Sequence, residues 1–304
     1  MRMSLSMQVQ SSLVNMTRAT DGLTDAESRA ATGKRILKPS DDVPGTDRAL
    51  SLRSAISTVN QLTDNNTVSK PVLQTAESAL NDVTKAINSV QTLAMKANNG
   101  SLSADDRGNI LSQLDDIMSR LEDLANTKYM DQYVFSGTAT NQPAVTAQAG
   151  TPPYAYSGNL EVKKVQVLSW VSVPTNIPGN TVFNFDGSAG AGSTDLFTMV
   201  TNVKQAITSN DSAQLSNQLT NIQHNLDNVL TCRSRLGSWT QRINDAQSVL
   251  TDTKNTMKEL LSNEEDADLP SAIIQLQTQQ NAYQAALLVS SKVLNLSLAS
   301  LQQS

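Results

Sequence analysis

The chain has 304 residues with one Cys and one His; 38% of the residues are hydrophobic, 4% are aromatic, and the formal net charge is -5. A single Cys excludes an intramolecular disulfide framework and any multi-Cys metal site, and a single His excludes His-pair zinc motifs. The acidic balance, without a Lys/Arg cluster, argues against nucleic acid or an anionic membrane as the main partner.

Aromatic residues are concentrated in the middle of the chain. Most of the two Trp, five Tyr and four Phe residues fall between positions 129 and 197. The flanks consist mainly of aliphatic, small and polar residues, so we expect them to bury thin apolar stripes along helices. The composition therefore predicts helical flanks around a different middle region.

The first predicted helix covers residues 5–31. Its apolar side chains recur every three or four residues, which places them on one stripe; they include Val9, Leu13, Met16 and Leu23. Gly33 stands where a left-handed residue ends a helix, and Lys34 and Arg35 suit the carbonyls at that end. Two prolines and a glycine in segment 38–47 predict a turn, in which we interpret Asp41 and Asp42 as caps.

Further helices are predicted over about 46–66 and from Leu73 to Ala94, with an interruption or kink at Pro71. Ser103 is predicted to cap a third helix, whose stripe runs from Ile110 to Leu124.

The region from Gly137 to Gly192 is rich in glycine and proline, which predicts a small, turn-rich β insert. Its two β-type runs are 160–173 and 181–185, and helix is expected to return near Asp195.

The clearest helical periodicity lies at 211–262. Stepping by seven from Leu215 reaches only apolar residues up to Met257. An acidic break follows at 263–268, where Glu264, Glu265, Asp266 and Asp268 are interpreted as caps or solvated turn residues. Pro270 suits the first turn of a final helix. That helix carries Ile273, Leu287, Leu294 and Leu301.

No catalytic, cofactor or metal site is predicted. The glycines near Lys34 and in the GSAGAGST run lack the spacing of a phosphate loop or a dinucleotide fingerprint. Periodicity alone leaves open whether the helical stripes form the core of a monomeric bundle or pack between molecules.

Two motifs resemble the bacterial flagellin family. The run TGKRILKPSDD, residues 32–42, resembles the turn that follows the family's first helix; it contains Gly33, Lys34, Arg35, Asp41 and Asp42. The run EDAD, which contains Glu265, Asp266 and Asp268, resembles the signature before the family's last helix. The resemblance covers about 1–137 and 195–304. YVFSGT, residues 133–138, and the short insert resemble the members that form the hook–filament junction more than the filament subunits.

The resemblance implies a mainly α fold: a long antiparallel coiled-coil bundle of N- and C-terminal helices with a small central β insert, α+β overall. It also implies three layers. Residues 1–40 and 265–304 would form the inner polymer layer, 41–137 and 195–264 a helical coiled-coil domain, and 138–194 a small β-rich outer domain. The polymer-interface positions expected on the terminal helices are Val9, Leu13, Met16, Leu23, Ile273, Leu287, Leu294 and Leu301.

As function, the resemblance implies a structural adaptor, not an enzyme, that joins hook to filament as a ring of copies. The expected partners are the first hook-associated protein, filament flagellin, further copies of the chain and a flagellar export chaperone. The expected location is extracellular, after export by the flagellar type III apparatus. The alternatives are a minor filament flagellin and a secreted effector or enzyme with flagellin-like ends.

Overall fold

The computed structural model describes residues 5–98, 102–150, 152–190 and 192–301, with side chains from Met7 to Val293 within those ranges. Helices dominate it, as the sequence predicts. They are α1 (Leu5–Thr32), α2 (Val43–Asn98), α3 (Ala104–Ala125), α4 (Gly179–Val182), α5 (Leu196–Thr208), α6 (Ser212–Glu265) and α7 (Leu269–Leu301). The predicted combination of helical termini and a small central β region is confirmed.

The described residues contain three antiparallel two-stranded sheets, one just before the β insert and two within it. They pair β1 (Lys128–Tyr129) with β2 (Gln132–Tyr133), β3 (Val145–Ala147) with β4 (Tyr154–Tyr156), and β5 (Lys164–Leu168) with β6 (Val171–Pro174). The last hairpin falls on the predicted β run 160–173 and extends one residue beyond it, to Pro174. Side-chain amides of Asn65 and Asn66 on α2 donate to its Gln166 and Val167 carbonyls, which fastens the hairpin to that helix.

The chain divides into two compact units. The terminal unit contains residues 1–59 and 252–304, and the central unit contains residues 60–251. The helices α2 and α6 each contribute residues to both units.

One hydrophobic cluster forms the core of the central unit. The seven-residue stripe of α6 is buried within this unit, as its periodicity predicts, from Leu215 through Ile222, Val229, Leu236 and Ile243 to Leu250. The aromatic side chains of the insert join the same core. The ring of Phe183 lies 5.6 Å from that of Phe135 and 5.9 Å from that of Phe197. Helices and insert therefore share one apolar interior.

Several predicted helix ends are confirmed by their hydrogen bonds. Gly33 has a φ of 66°, in the left-handed region, and its amide donates to the Arg29 carbonyl at the end of α1. The Ser103 hydroxyl accepts from the Asp106 amide at the start of α3. Asp195 caps α5 by accepting from the Phe197 and Thr198 amides.

Of the interruption or kink predicted at Pro71, the interruption is wrong, because α2 continues through that position from Val43 to Asn98, and the kink stays a prediction. Proline removes the amide that would bond the carbonyl four residues earlier, which belongs to Thr67. Thr67 is exposed, so water can bond that carbonyl. Leu73, just beyond the proline, is fully buried, and packing on that side of the helix holds α2 in place.

The predicted strand at 181–185 is also wrong. Residues Gly179–Val182 form the single-turn helix α4, and Asn184 adopts a left-handed φ of 61°. The reason lies in tertiary contacts. The Asn228 amide on α6 donates to the carbonyls of Thr181 and Val182, at 2.7 and 3.0 Å. These bonds satisfy carbonyls that a strand would use in a ladder, while Val182 and Phe183 are buried.

Replacing Asn228 with alanine is expected to destabilise the central unit by about 1–3 kcal/mol, because the two partner carbonyls would lose their donor. Urea unfolding followed by tryptophan fluorescence measures this, since Trp170 and Trp239 both lie in the central unit. The control Asn244→Ala removes an amide from the same helix and should change stability by less than about 0.5 kcal/mol. Equal effects of the two substitutions would contradict the proposed role of Asn228.

Candidate assembly interface

The two sequence motifs meet in the terminal unit. The turn after α1 and the connection from α6 to α7 form an antiparallel bridge between Lys34 and Asp266. The Arg35 amide donates to the Glu265 carbonyl at 2.6 Å, and the Ala267 amide donates to the Gly33 carbonyl at 2.8 Å. The end of α1 and the start of α7 are therefore fixed side by side.

Glu265 is the buried centre of this meeting point. It is 4% exposed, and its carboxylate accepts from Lys34 Nζ at 2.7 Å and from Arg53 Nη2 at 2.8 Å. Burial alone would raise the pKa of Glu265, but the hydrogen bonds from Lys34 and Arg53 together hold it below its ordinary value. The same contact raises the pKa of Lys34. Both charges are stabilised in the folded chain.

A second set of ion pairs surrounds Glu265. Arg48 binds the Glu264 carboxylate with two bonds of 2.9 Å, in the bidentate geometry that favours arginine. Arg35 donates to the Glu264 carbonyl at 2.7 Å and to Asp42 at 2.9 Å. We call the whole group the ionic junction; its members are Lys34, Arg35, Asp42, Arg48, Arg53, Glu264, Glu265 and Asp266.

The remaining motif carboxylates serve as caps. Asp41 accepts from the amides of Leu37 and Lys38 at 3.0 Å, and these bonds lower its pKa. Asp42 accepts from the Gly45 amide at 2.9 Å, ahead of the first turn of α2. Asp268 accepts from the Ser271 hydroxyl at 2.5 Å as α7 begins. These contacts agree with the interpretation of Asp41, Asp42 and Asp268 as caps. The interpretation of Glu265 as a cap or solvated turn residue is wrong, because its carboxylate is buried and paired with Lys34 and Arg53.

The sequence does not single out Arg48 or Arg53, and it indicates Glu264 only as a cap or solvated turn residue. The two arginines meet partners more than 200 positions away, and no local spacing signals such a pairing. Glu264 belongs to the last turn of α6, which extends through Glu265, whereas the sequence predicts an acidic break from residue 263.

In the terminal unit α1 packs against α7. Few of the described side chains in this pair are buried, and those few are small: Ala26, Ala272 and Ser290. The backbone of Gly22 lies against the end of the Gln279 side chain. The pair is therefore close-packed but encloses little apolar volume.

The predicted interface positions lie on this helix pair and keep part of their surface in solvent. Val9, Met16 and Leu23 are half-buried. Leu13, Ile273 and Leu287 are 54%, 59% and 38% exposed. The side chains of Leu294 and Leu301 lie outside the described residues. Their role as polymer contacts stays a prediction.

Other large apolar side chains on the same helices are equally exposed: Met7, Val14, Leu269, Ile274, Leu288 and Val289. The helix α7 has one charged residue, Lys292, in its 33 residues. A helix with so little charge needs apolar neighbours on more than one side, and α1 covers only one of them. No helix among the described residues is long and apolar enough to cross a membrane.

Family models match both halves of this arrangement. The bacterial flagellin N-terminal helical region matches residues 3–140, and the bacterial flagellin C-terminal helical region matches residues 219–301. The chain belongs to the bacterial flagellin family. The ionic junction draws residues from both matched regions, while most of the β insert lies between them. The family signature thus includes the two segments that meet at Glu265.

Individual members of the flagellin family resemble the chain to different extents. Flagellar hook-associated protein 3 of Escherichia coli is 28% identical over 94% of this chain and 95% of its own length. A flagellin of Listeria innocua is 24% identical over 84% of this chain and 83% of its own. The solved structure of flagellar hook associated protein-3 from Legionella pneumophila shares the fold, with a TM-score of 0.62, 14% identity and coverage of 70% and 97% of the two chains.

Replacing Glu265 with glutamine is expected to destabilise the terminal unit by about 1.5–3 kcal/mol at pH 7, because two charge-assisted hydrogen bonds are lost. The folded pKa of Glu265 is depressed, so its contribution is complete above the unfolded value of about 4.3 and is lost as the pH falls through the folded value. The difference in the free energy of unfolding between parent and variant should therefore shrink as the pH falls from 5 toward 3.

Urea unfolding followed by far-UV circular dichroism measures this effect. Because both tryptophans lie in the central unit, a loss of helical signal without a change in tryptophan fluorescence reports unfolding of the terminal unit. The control is Glu259→Gln, an exposed carboxylate on α6 in the same unit. A pH-independent gap between Glu265→Gln and the parent would show that the carboxylate is not stabilised as described.

Proposed function

We propose that the chain is a structural component of the bacterial flagellum that joins hook to filament through helix packing. The observation that carries this proposal is the exposed apolar surface of α1 and α7, which the chain itself leaves uncovered. Flagellar hook-associated protein 3, which aligns along nearly its whole length, supports the junction in preference to other flagellar positions.

Burial of these exposed side chains between molecules would hold the joint. Each large apolar side chain contributes roughly 1.5–3 kcal/mol when it leaves water, so many modest contacts suffice without a single strong site. We assign this role to Val9, Leu13, Met16, Leu23, Ile273 and Leu287, and to Leu294 and Leu301 further along α7. In this proposal residues 1–40 and 265–304 form the inner layer, and 138–194 forms the outer domain.

The proposed neighbours are copies of the chain in a ring, the first hook-associated protein on the hook side and flagellin on the filament side. A rotational arrangement of identical copies repeats each contact around the ring, which multiplies weak packing energies. We further propose that the chain reaches this extracellular position through the flagellar type III apparatus, with an export chaperone on its C-terminal helical part. Catalysis has no part in this proposal.

A minor filament flagellin is the second candidate, because filament flagellins also align with the chain. The Listeria flagellin matches less of this chain at lower identity than hook-associated protein 3 does, which favours the junction. Location separates the two candidates: a junction protein forms a band between hook and filament, and a filament subunit lies along the whole length. A secreted effector with flagellin-like ends receives no support from the relatives described.

The double substitution Leu288→Asp with Val289→Asp is expected to prevent incorporation into flagella, because two carboxylates would be buried against apolar neighbours. The free chain should keep its urea midpoint, since both side chains are about 60% exposed. Incorporation is measured by immunoblot of sheared flagella from a strain that lacks the natural gene. The matched control is Gln284→Asp, an exposed polar position on α7 that should still incorporate.

Deletion of residues 1–30 or 275–304 should abolish incorporation at the hook tip while the central unit stays folded, because its core lies within 60–251. Electron microscopy of the deletion strain scores filaments, and tryptophan fluorescence of the purified chain checks the fold. Normal filaments on such a strain would refute the proposed role of the terminal helices.

A further inference from the structure

The packing of α1 against α7 does little to fix the register, that is, which residues of the two helices lie side by side. The buried side chains of the pair, Ala26, Ala272 and Ser290, are small and similar in size. The hydroxyls of Thr17, Thr20 and Thr24 donate to carbonyls of their own helix, four residues back, and not across the pair. Sliding α1 by one turn would exchange the buried small residue Ala26 for Gly22 or Ala30. It would also replace the half-buried Val9, Met16 and Leu23 by other positions of the same repeating stripe, at low cost.

The backbone bridge beside the pair does not choose a register either. Its two hydrogen bonds join the amides and carbonyls of residues 33–35 and 265–267, and every residue offers the same backbone groups. A slipped bridge would keep both bonds with other residues.

Glu265 is the buried member of the ionic junction, and its contacts depend on the register. Its carboxylate is almost fully buried and contacts Lys34 from the turn after α1 and Arg53 from α2 at the same time. A slip would move Lys34 away from the carboxylate and leave a buried charge with half of its partners. A buried charge that lacks a partner costs folding free energy, so the register in which Glu265 contacts both cations is strongly preferred.

The register matters because it aligns the exposed apolar surface. Leu13 lies 19 residues before the end of α1, and Leu287 lies 18 residues after the start of α7. The two helices are antiparallel and extend side by side from the junction, as the contact of Gly22 with Gln279 also shows. Leu13 and Val14 therefore stand at the level of Leu287 and Leu288, and a slip of one turn would displace them by about 5.4 Å.

We propose that the triad of Glu265, Lys34 and Arg53 is a register latch: it selects the alignment of α1 with α7 and adds little net stability. Only the carboxylate of this triad is buried, since the side chains of Lys34 and Arg53 are 38% and 56% exposed. Replacing buried ion pairs by apolar side chains of similar size can leave stability unchanged, and specificity of register is the best-supported role for such groups. The latch lies within the single chain and does not depend on the proposed place in the flagellum.

The test compares the parent with the triple variant Lys34→Met, Arg53→Met, Glu265→Leu. Both carry spin labels at Glu27→Cys on α1 and Ser291→Cys on α7, with Cys232→Ala to remove the native thiol. These two positions are exposed and are separated mainly along the helix axes. Double electron–electron resonance of the full-length free chain gives the distance distribution, and urea unfolding followed by circular dichroism gives the midpoint.

We expect a single distance in the parent. In the triple variant we expect a parent-like midpoint with additional distances shifted by about one turn, roughly 5 Å. The control replaces an ion pair of the central unit, Asp82→Leu with Lys85→Met, and should keep the single distance.

Three results would overturn the proposal. The triple variant could retain the single parent distance, or the parent itself could show several. Alternatively, the urea midpoint of the triple variant could fall below that of the parent, which would mean that the triad stabilises the terminal unit and does not merely align its helices. All of these measurements use the free chain, so their results do not depend on whether the chain assembles into flagella. The two proposals are therefore tested separately.

Discussion

The buried carboxylate of Glu265 is the constraint on which the terminal unit depends. A carboxylate that is 4% exposed must find compensating charges, and this one finds them on two segments that are distant in sequence. One cation follows α1 and the other lies on α2, while the acid itself ends α6. A single buried charge thus brings together the turn after α1, the helix α2 and the end of α6.

The two units bury different kinds of side chain. The central unit buries a continuous core of aliphatic and aromatic side chains from helices and insert. The terminal unit buries Glu265 and a few mostly small side chains, and its helices α1 and α7 leave their larger apolar side chains partly in solvent. This division fits a protein whose middle folds by itself and whose ends acquire their full packing from neighbours.

The sequence predicts the long helices well, because their stripes repeat over many turns. The seven-residue series of α6 is buried in the central unit from Leu215 to Leu250, and Gly33, Ser103 and Asp195 end or begin helices as their chemistry indicates. Local propensity fails where distant contacts decide. The Asn228 amide holds residues 181 and 182 in a helical turn, and solvent at Thr67 permits a proline within α2.

The candidate interface shows the same limit. Motif residues such as Lys34 and Glu265 can be named from the sequence, but Arg48 and Arg53 cannot, because their partners lie on another part of the chain. Exposure of Ile273 and Leu287 is also a property of the folded chain: periodicity gives the stripe, and only the structure shows which part of it α1 leaves uncovered.

The central claim is that assembly covers the apolar surface of α1 and α7. Hydrogen exchange of the free chain, compared with chain recovered in isolated flagella, tests it most directly. We predict that residues 7–32 and 269–293 gain strong protection on assembly, while the exposed segment 147–150 of the insert exchanges equally fast in both states. Unchanged exchange in both terminal helices would contradict the account.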